Sequence, residues 1–115
     1  MHLRIEEHDK WQICFVAGSI TAVNNDHFYQ LFINILQKCN KNLILNLREL
    51  EFIDSKGIST LILGKKLLAK NGLEMRISNV PPPVRNIFDI TFLNRIIPIH
   101  DDMAELLGAE GMARV

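Results

Sequence analysis

Two short apolar segments with an amphipathic segment between them constrain the fold of this chain more than any other feature. Residues 11–17 and 43–47 have the length and composition of strands buried on both faces of a sheet. Between them, apolar residues recur at helical spacing, namely Phe28, Leu31, Phe32, Ile35, Leu36 and Cys39. A helix that connects two buried strands favours a parallel crossover, so we expect an α/β fold.

The remaining segments continue this alternation of strands and helices. Residues 3–5 indicate a short first strand, joined to residues 11–17 by a turn at 8–10. Further elements are expected in the order of a helix at 55–71, a strand at 73–77, a short helix after the prolines at 81–83, an edge strand at 95–100 and a last helix after Asp101 or Asp102. We therefore expect one domain over residues 1–115, with a mixed sheet of four to five strands, about four helices and a frayed tail from about residue 108.

Composition excludes several functional classes. The chain carries 13 Lys and Arg against 13 Asp and Glu, so it has no basic excess with which to bind nucleic acid. Its apolar runs are shorter than the roughly 18 residues of a membrane span, and its N-terminus lacks the apolar core of a signal peptide. We expect a cytoplasmic protein without membrane insertion, in which Cys14 and Cys39 are buried, reduced thiols. Four scattered histidines do not indicate a metal site.

The segment most informative about function is 45–58, where a buried strand ends and the next helix begins. Asp54 and Ser55 stand at the start of that helix, and Gly57 lies in its first turn. The Ser55 hydroxyl can cap the helix by accepting an early backbone N–H, which is the simpler interpretation on spacing alone. The free N–H groups and the positive end of the helix dipole can instead hold an anion, including a phosphate carried by this serine.

The order of motifs resembles the STAS domain family and, more narrowly, the bacterial anti-sigma factor antagonists. The central motif is Asp54-Ser55-Lys56-Gly57-Ile58, preceded by Leu45-Asn46-Leu47 and followed by a helix that closes at Asn71-Gly72. A turn at 18–21 and a segment at 83–90 also match, so the resemblance extends from about Leu3 to Leu107.

This resemblance implies that Ser55 is the residue that a partner serine kinase phosphorylates. In the family, the unphosphorylated protein binds an anti-sigma factor that is also this kinase, and so frees the sigma factor for transcription. Phosphorylation breaks the complex, and a serine phosphatase restores it. A phosphoserine adds roughly −1.5 to −2 charges, which a helix N-terminus tolerates and an acidic partner surface rejects. The resemblance thus implies a regulatory binding protein without a cofactor, and not an enzyme.

Partner contacts are expected around the phosphoacceptor and along the following helix, at Thr21, Asp54, Ser55, Lys56, Gly57, Leu63 and Leu67. Thr21 stands where many relatives carry Asp, and Lys56 stands where relatives often carry Ser, Thr or Ala. The Lys56 cation can stabilise a phosphate or alter which kinase docks. Leu63 and Leu67 lie one turn apart, away from the expected core face, so they either form a docking or homodimer surface or are covered by a neighbouring element.

Two other functions stay open on the sequence. STAS domains also serve as small subunits of lipid-transport ATPase assemblies, in which case Ser55 would be a cap or a contact residue and no kinase would switch the protein. An enzyme would need a pocket with a perturbed acid or base. The sequence nominates no such pair, and it contains neither a Gly-x-Ser-x-Gly elbow nor a phosphate-binding Gly-x-x-x-x-Gly-Lys-Ser/Thr loop.

Overall fold

The computed structural model describes the backbone of residues 1–113 and the side chains of residues 1–108. Within residues 1–113 the elements are β1 (His2–His8), β2 (Trp11–Ile20), α1 (Asn25–Gln37), β3 (Asn42–Asn46), β4 (Leu50–Ile53), α2 (Ser55–Lys70), β5 (Met75–Ser78), α3 (Pro82–Ile90), a 3-10 turn (Leu93–Arg95), β6 (Ile99–His100) and α4 (Ala104–Ala113). This order confirms the α/β fold. The frayed tail expected from about residue 108 falls almost entirely outside the described side chains.

The strands form one mixed sheet, as predicted. Their order is β1-β2-β3-β5-β6, and β4 pairs separately with β2. β1 and β2 form an antiparallel hairpin, whereas β2, β3, β5 and β6 run parallel to one another. The parallel pairs β2–β3 and β3–β5 are the ones connected through α1 and α2, because a helical crossover returns the chain in the same direction. The carboxyl ends of β2 and β4 therefore lie together, and α1 and α2 begin there.

The hydrophobic core lies between the sheet and the helices. The α1 stripe is buried as its spacing predicts, through Phe28, Phe32 and Leu36, and the rings of Phe28 and Phe32 stack with their centroids 5.3 Å apart. α2 buries Ile58, Leu61 and Leu68 in the same core. These contacts fix how α1 and α2 lie beside each other, and so where their first turns meet.

Both cysteines are free and buried, which confirms the expectation of reduced thiols. Burial raises the pKa of the Cys14 thiol to about 12, with a smaller contribution from the nearby Cys39. Burial also raises the pKa of Cys39. Both thiols are therefore protonated at neutral pH.

The structure differs from the sequence prediction in two segments. Residues 50–53, between the predicted strand at 43–47 and the predicted helix at 55–71, form an additional strand, β4, because Leu50 and Ile53 are buried and the chain pairs with β2 beyond a register shift at Gly18/Ser19. β2 accordingly continues to Ile20 and does not stop at residue 17. The edge strand predicted over 95–100 is only Ile99–His100, because Leu93–Arg95 form a 3-10 turn and the chain turns and bends again at residues 96–97.

Two predicted helix ends are confirmed. Gly72 closes α2 with a left-handed φ of 73°, a conformation that costs glycine little. The Asp102 carboxylate accepts a hydrogen bond from the backbone N–H of Ala104 at the start of α4 (2.8 Å). None of the helices described within residues 1–113 combines the length and apolar composition that a membrane crossing requires.

Candidate functional site at the start of helix α2

The first turn of α2 is capped by Asp54. Its backbone is extended (φ −89°, ψ 179°), and its Oδ1 accepts a hydrogen bond from the backbone N–H of Gly57 at 2.9 Å. This is the usual geometry of an N-cap residue, whose side chain satisfies one of the free donors of the first turn. The interpretation of Ser55 as the cap is therefore wrong. Ser55 is the first residue of the helix itself.

The Ser55 side chain is exposed, and its hydroxyl has no hydrogen-bond partner among the described residues. The contact made by Ser55 is through its backbone carbonyl, which accepts from the Ser59 hydroxyl at 3.1 Å. Because Asp54 performs the capping, the Ser55 oxygen can react or bind without any helix bond being broken.

Asn25, the first residue of α1, reaches across to this loop. It is 7% exposed, and its Nδ2 donates to Asp54 Oδ2 at 2.7 Å. Its own Oδ1 is buried and has no hydrogen-bond partner among the described residues. The two Asp54 oxygens are thus divided between the two helices, since Oδ1 caps α2 and Oδ2 is held by α1. Asn25 is not among the site residues expected from the sequence.

A signal for Asn25 is present in the sequence. Asn25 precedes Phe28 by three residues and Phe32 by seven, so it belongs to the buried stripe of α1. An amide at such a position requires a polar partner in the neighbouring structure. The partner could not be named without knowing that the first turns of α1 and α2 meet.

Gly57 allows the tight packing beneath this loop. A Cβ at Gly57 would lie 2.6 Å from Cγ1 of Ile53 and 3.0 Å from Cγ2 of Ile20. Two buried side chains, at the ends of β4 and β2, therefore pack directly against the Gly57 backbone. They hold the start of α2 against the sheet and fix the direction in which Ser55 points.

The Thr21 turn lies directly beside the loop, because the backbone N–H of Asp54 donates to the carbonyl of Ile20 at 3.0 Å. Thr21 is half-buried, and its hydroxyl accepts a hydrogen bond from the backbone N–H of Val23 within the same turn. Asn24 closes the turn by bonding the N–H of Thr21 and the carbonyl of Ser19. Its side chain therefore stabilises the turn and does not cap α1.

Lys56 is exposed and lines a groove of about 170 Å³ between α1 and α2, together with Asn25, Asp26, Tyr29 and Thr60. The structure thus brings together five of the residues predicted at the site: Thr21, Asp54, Ser55, Lys56 and Gly57. Leu63 and Leu67 lie farther along α2, one turn apart, and both are half-buried.

Two apolar side chains are exposed in the turn before α1 and in β4. Val23, in the turn before α1, is 95% exposed, and Phe52, in β4, is 44% exposed. Phe52 pairs with Ser19 across β2 and β4, which places it at the same end of the sheet as the Thr21 turn. Neither residue is among the partner contacts expected from the sequence.

Asn46, at the end of β3, has a structural role. Its Oδ1 accepts a hydrogen bond from the backbone N–H of Arg48 (3.0 Å), and its Nδ2 donates to Oδ1 of Asn79 (3.3 Å). Asn46 therefore orders the loop after β3. In the part of the chain that the structure describes, no three His, Cys, Asp or Glu side chains converge in a way that could hold a metal ion.

Known proteins resemble this chain along most of its length. An anti-sigma F factor antagonist of Paenibacillus polymyxa is 27% identical over 108 residues, which cover 93% of this chain and 92% of that protein. An anti-sigma factor antagonist from Mycobacterium paratuberculosis superposes with a TM-score of 0.83 at 22% identity, over 94% of this chain and 92% of that one. The Bacillus cell fate determinant SpoIIAA, solved in its phosphorylated form, superposes with a TM-score of 0.63 at 15% identity, over 98% of each chain.

The family model of the STAS domain matches residues 2–106, which include every strand and both helices of the site. The match extends on both sides of the Asp54–Gly57 loop, as the resemblance of the sequence motifs implied. The chain therefore belongs to the STAS domain family.

Proposed function

We propose that this protein is a cytoplasmic anti-sigma factor antagonist whose binding is switched by phosphorylation of Ser55. The observation that carries the proposal is the Ser55 hydroxyl itself. It is exposed at the first position of α2 and unbonded among the described residues, while Asp54 supplies the cap. The relative from Paenibacillus polymyxa, an anti-sigma F factor antagonist, supports this assignment.

Electrostatics supports a switch that leaves the fold unchanged. A phosphate on Ser55 adds about two negative charges at the positive end of the α2 dipole, where an anion is tolerated. The exposed Lys56 adds a cation next in the chain. A partner surface that packs on Ser55 must instead desolvate the phosphate, and acidic groups on that surface repel it. The modification therefore weakens the complex more than it perturbs the free protein.

The expected contact surface begins at Ser55 and includes the Thr21 turn and the exposed side of α2. The partner is an anti-sigma factor that is also a serine kinase, and a serine phosphatase reverses the modification. The apolar part of this surface is provided by Val23 and Phe52, and Leu63 and Leu67 extend it along α2. Exposed apolar side chains around a polar centre are typical of protein-binding sites.

A capture experiment with charge variants tests the proposal. Wild type, Ser55→Ala, Ser55→Glu and Ala69→Glu are immobilised and incubated with extract of the source cells, and the captured proteins are identified by mass spectrometry. Ala69 is exposed on the same helix, about 21 Å along the axis, so Ala69→Glu controls for the added charge.

We expect wild type, Ser55→Ala and Ala69→Glu to capture one serine kinase that also binds a sigma factor. Ser55→Glu should capture at least tenfold less of it. Equal capture by Ser55→Glu, or capture of a transport ATPase and its permease in place of a kinase, would contradict the proposal.

A further inference from the structure

Asn25 makes a direct side-chain contact with Asp54, the residue that precedes Ser55 and caps α2. Its Nδ2 lies 2.7 Å from Asp54 Oδ2, and the residue is more than nine-tenths buried. A short bond between an amide donor and a carboxylate acceptor is among the stronger neutral-to-charged hydrogen bonds in proteins. It joins the first residue of α1 to the residue immediately before α2.

The orientation of the Asn25 amide is set by this bond. Rotating the amide by 180° would place Oδ1 against the Asp54 carboxylate, where two acceptors repel each other. The observed orientation instead leaves Oδ1 buried with no partner in the described part of the chain, which is itself unfavourable. The bond from Nδ2 to Asp54 thus outweighs the cost of leaving Oδ1 unsatisfied.

The consequence for Ser55 follows from the geometry of Asp54. With Oδ2 held by Asn25, Oδ1 points at the N–H of Gly57 and Asp54 stays in its capping conformation. A carboxylate released from Asn25 can rotate and accept the hydroxyl of its neighbour Ser55, which would remove the cap and occupy the phosphoacceptor together. Holding Asp54 therefore keeps the Ser55 oxygen free.

We propose that Asn25 is the positioning residue of the phosphoacceptor site: by holding Asp54 as the cap of α2, it keeps the Ser55 hydroxyl unbonded and open to a phosphoryl donor. The part of this inference that concerns phosphoryl transfer rests on the proposed function. The part that concerns the cap stands on the geometry alone.

Two readouts and an exchange of side chains test the inference. Because the first-turn amides of a helix have no partner within the helix, the Gly57 N–H depends on Asp54 for its hydrogen bond, and a loss of its protection from hydrogen exchange relative to wild type reports the loss of the cap. The second readout is the rate at which the captured kinase phosphorylates Ser55. The variants are Asn25→Asp, Asn25→Ala and the double variant Asn25→Asp with Asp54→Asn, and circular dichroism verifies that each is folded.

The double variant restores the contact with its polarity reversed. An amide at position 54 can donate to the carboxylate at position 25, while its oxygen still caps Gly57. The matched control is Asn34→Asp, which makes the same change at an exposed position of the same helix.

We expect Asn25→Asp to speed Gly57 exchange and to lower kcat/KM for phosphorylation of Ser55, each by about tenfold or more. Asn25→Ala should shift both in the same direction by less. The double variant should recover most of the Gly57 protection, and Asn34→Asp should match wild type. Unchanged Gly57 exchange in Asn25→Asp would overturn the inference.

The experiment distinguishes a failure of the proposed function from a failure of the inference about Asn25. If wild type is not phosphorylated on Ser55, the switch is contradicted, and Gly57 exchange still decides whether Asn25 holds the cap. If wild type is phosphorylated and Asn25→Asp is phosphorylated equally well, the switch stands and the positioning role of Asn25 is overturned.

Discussion

At the scale of single residues, Asp54 caps α2 and Ser55 presents the free hydroxyl. The sequence alone does not show which of the two residues is the cap. Both are good N-cap residues, and they are adjacent, so spacing does not decide between them. The structure decides because Asp54 has the extended backbone of a cap and Ser55 already has helical geometry. The segment of the candidate site could be predicted from the sequence, whereas the division of roles between Asp54 and Ser55 required the backbone geometry. The bond to Asn25 required the position of the neighbouring helix.

The buried thiol of Cys14 predicts a dependence of stability on pH. Its pKa is about 12 in the folded protein against an ordinary value of 9.0, so above pH 9 the unfolded chain releases this proton first. The folded state is then disfavoured, and stability falls as pH rises from 9 to 12. At pH 10.5 the loss from this thiol is about 2 kcal/mol, and below pH 8 it is negligible.

Urea unfolding of wild type and Cys14→Ala at pH 8.0 and 10.5 measures this effect. We expect wild type to be the more stable at pH 8.0, and its advantage to shrink by about 2 kcal/mol at pH 10.5, since the variant lacks the titrating group. An advantage of the same size at both pH values would show that the thiol ionises alike in the folded and unfolded chains.

At the scale of elements, the long periodic segments were predictable, whereas the short strand β4 was not. α1 and α2 can be predicted because apolar residues recur at helical spacing over three or more turns. β3 can be predicted from its uninterrupted apolar run. β4 has only four residues, of which Glu51 and Phe52 are exposed, so it shows neither alternation nor a run. Its strand conformation comes from pairing with β2 beyond the irregularity at Gly18/Ser19, which local sequence does not encode.

The packing of α1 on α2 depends on Gly64. A Cβ at this position would lie 2.7 Å from both Leu36 Cδ1 and Phe32 Cε2. We expect Gly64→Val to lower the free energy of unfolding by about 1–3 kcal/mol, because overpacking forces the α1 side chains from their rotamers. Urea unfolding followed by circular dichroism measures the change.

Ala69→Val is the control for the lower helix propensity of valine, since Ala69 is exposed on the same helix. Ala69→Val should lower the free energy of unfolding by well under about 1 kcal/mol. If both variants were equally stable, close helix contact at Gly64 would not be a significant constraint, and the first turns of α1 and α2 would be positioned by the sheet alone.

At the scale of the whole molecule, the sheet brings separate parts of the chain to one end. The carboxyl ends of β2 and β4 present the Thr21 turn and the Asp54–Gly57 loop, and the bond between Asp54 N–H and the Ile20 carbonyl joins them. Ser55 thus projects from a scaffold that is held by α1, α2 and two strands. A rigid scaffold of this kind suits a switch in which added charge changes what binds and the fold stays the same.

The proposed switch requires that Ser55 is phosphorylated in the cell. Its most direct test is the intact mass and phosphosite map of the protein purified from its own cells under several growth conditions, beside the variant Ser55→Ala. We predict a species about 80 Da heavier, with the phosphate on Ser55 and absent from the variant. An unmodified protein under every condition, with Ser55→Ala fully functional, would contradict the switch and favour a constitutive binding subunit.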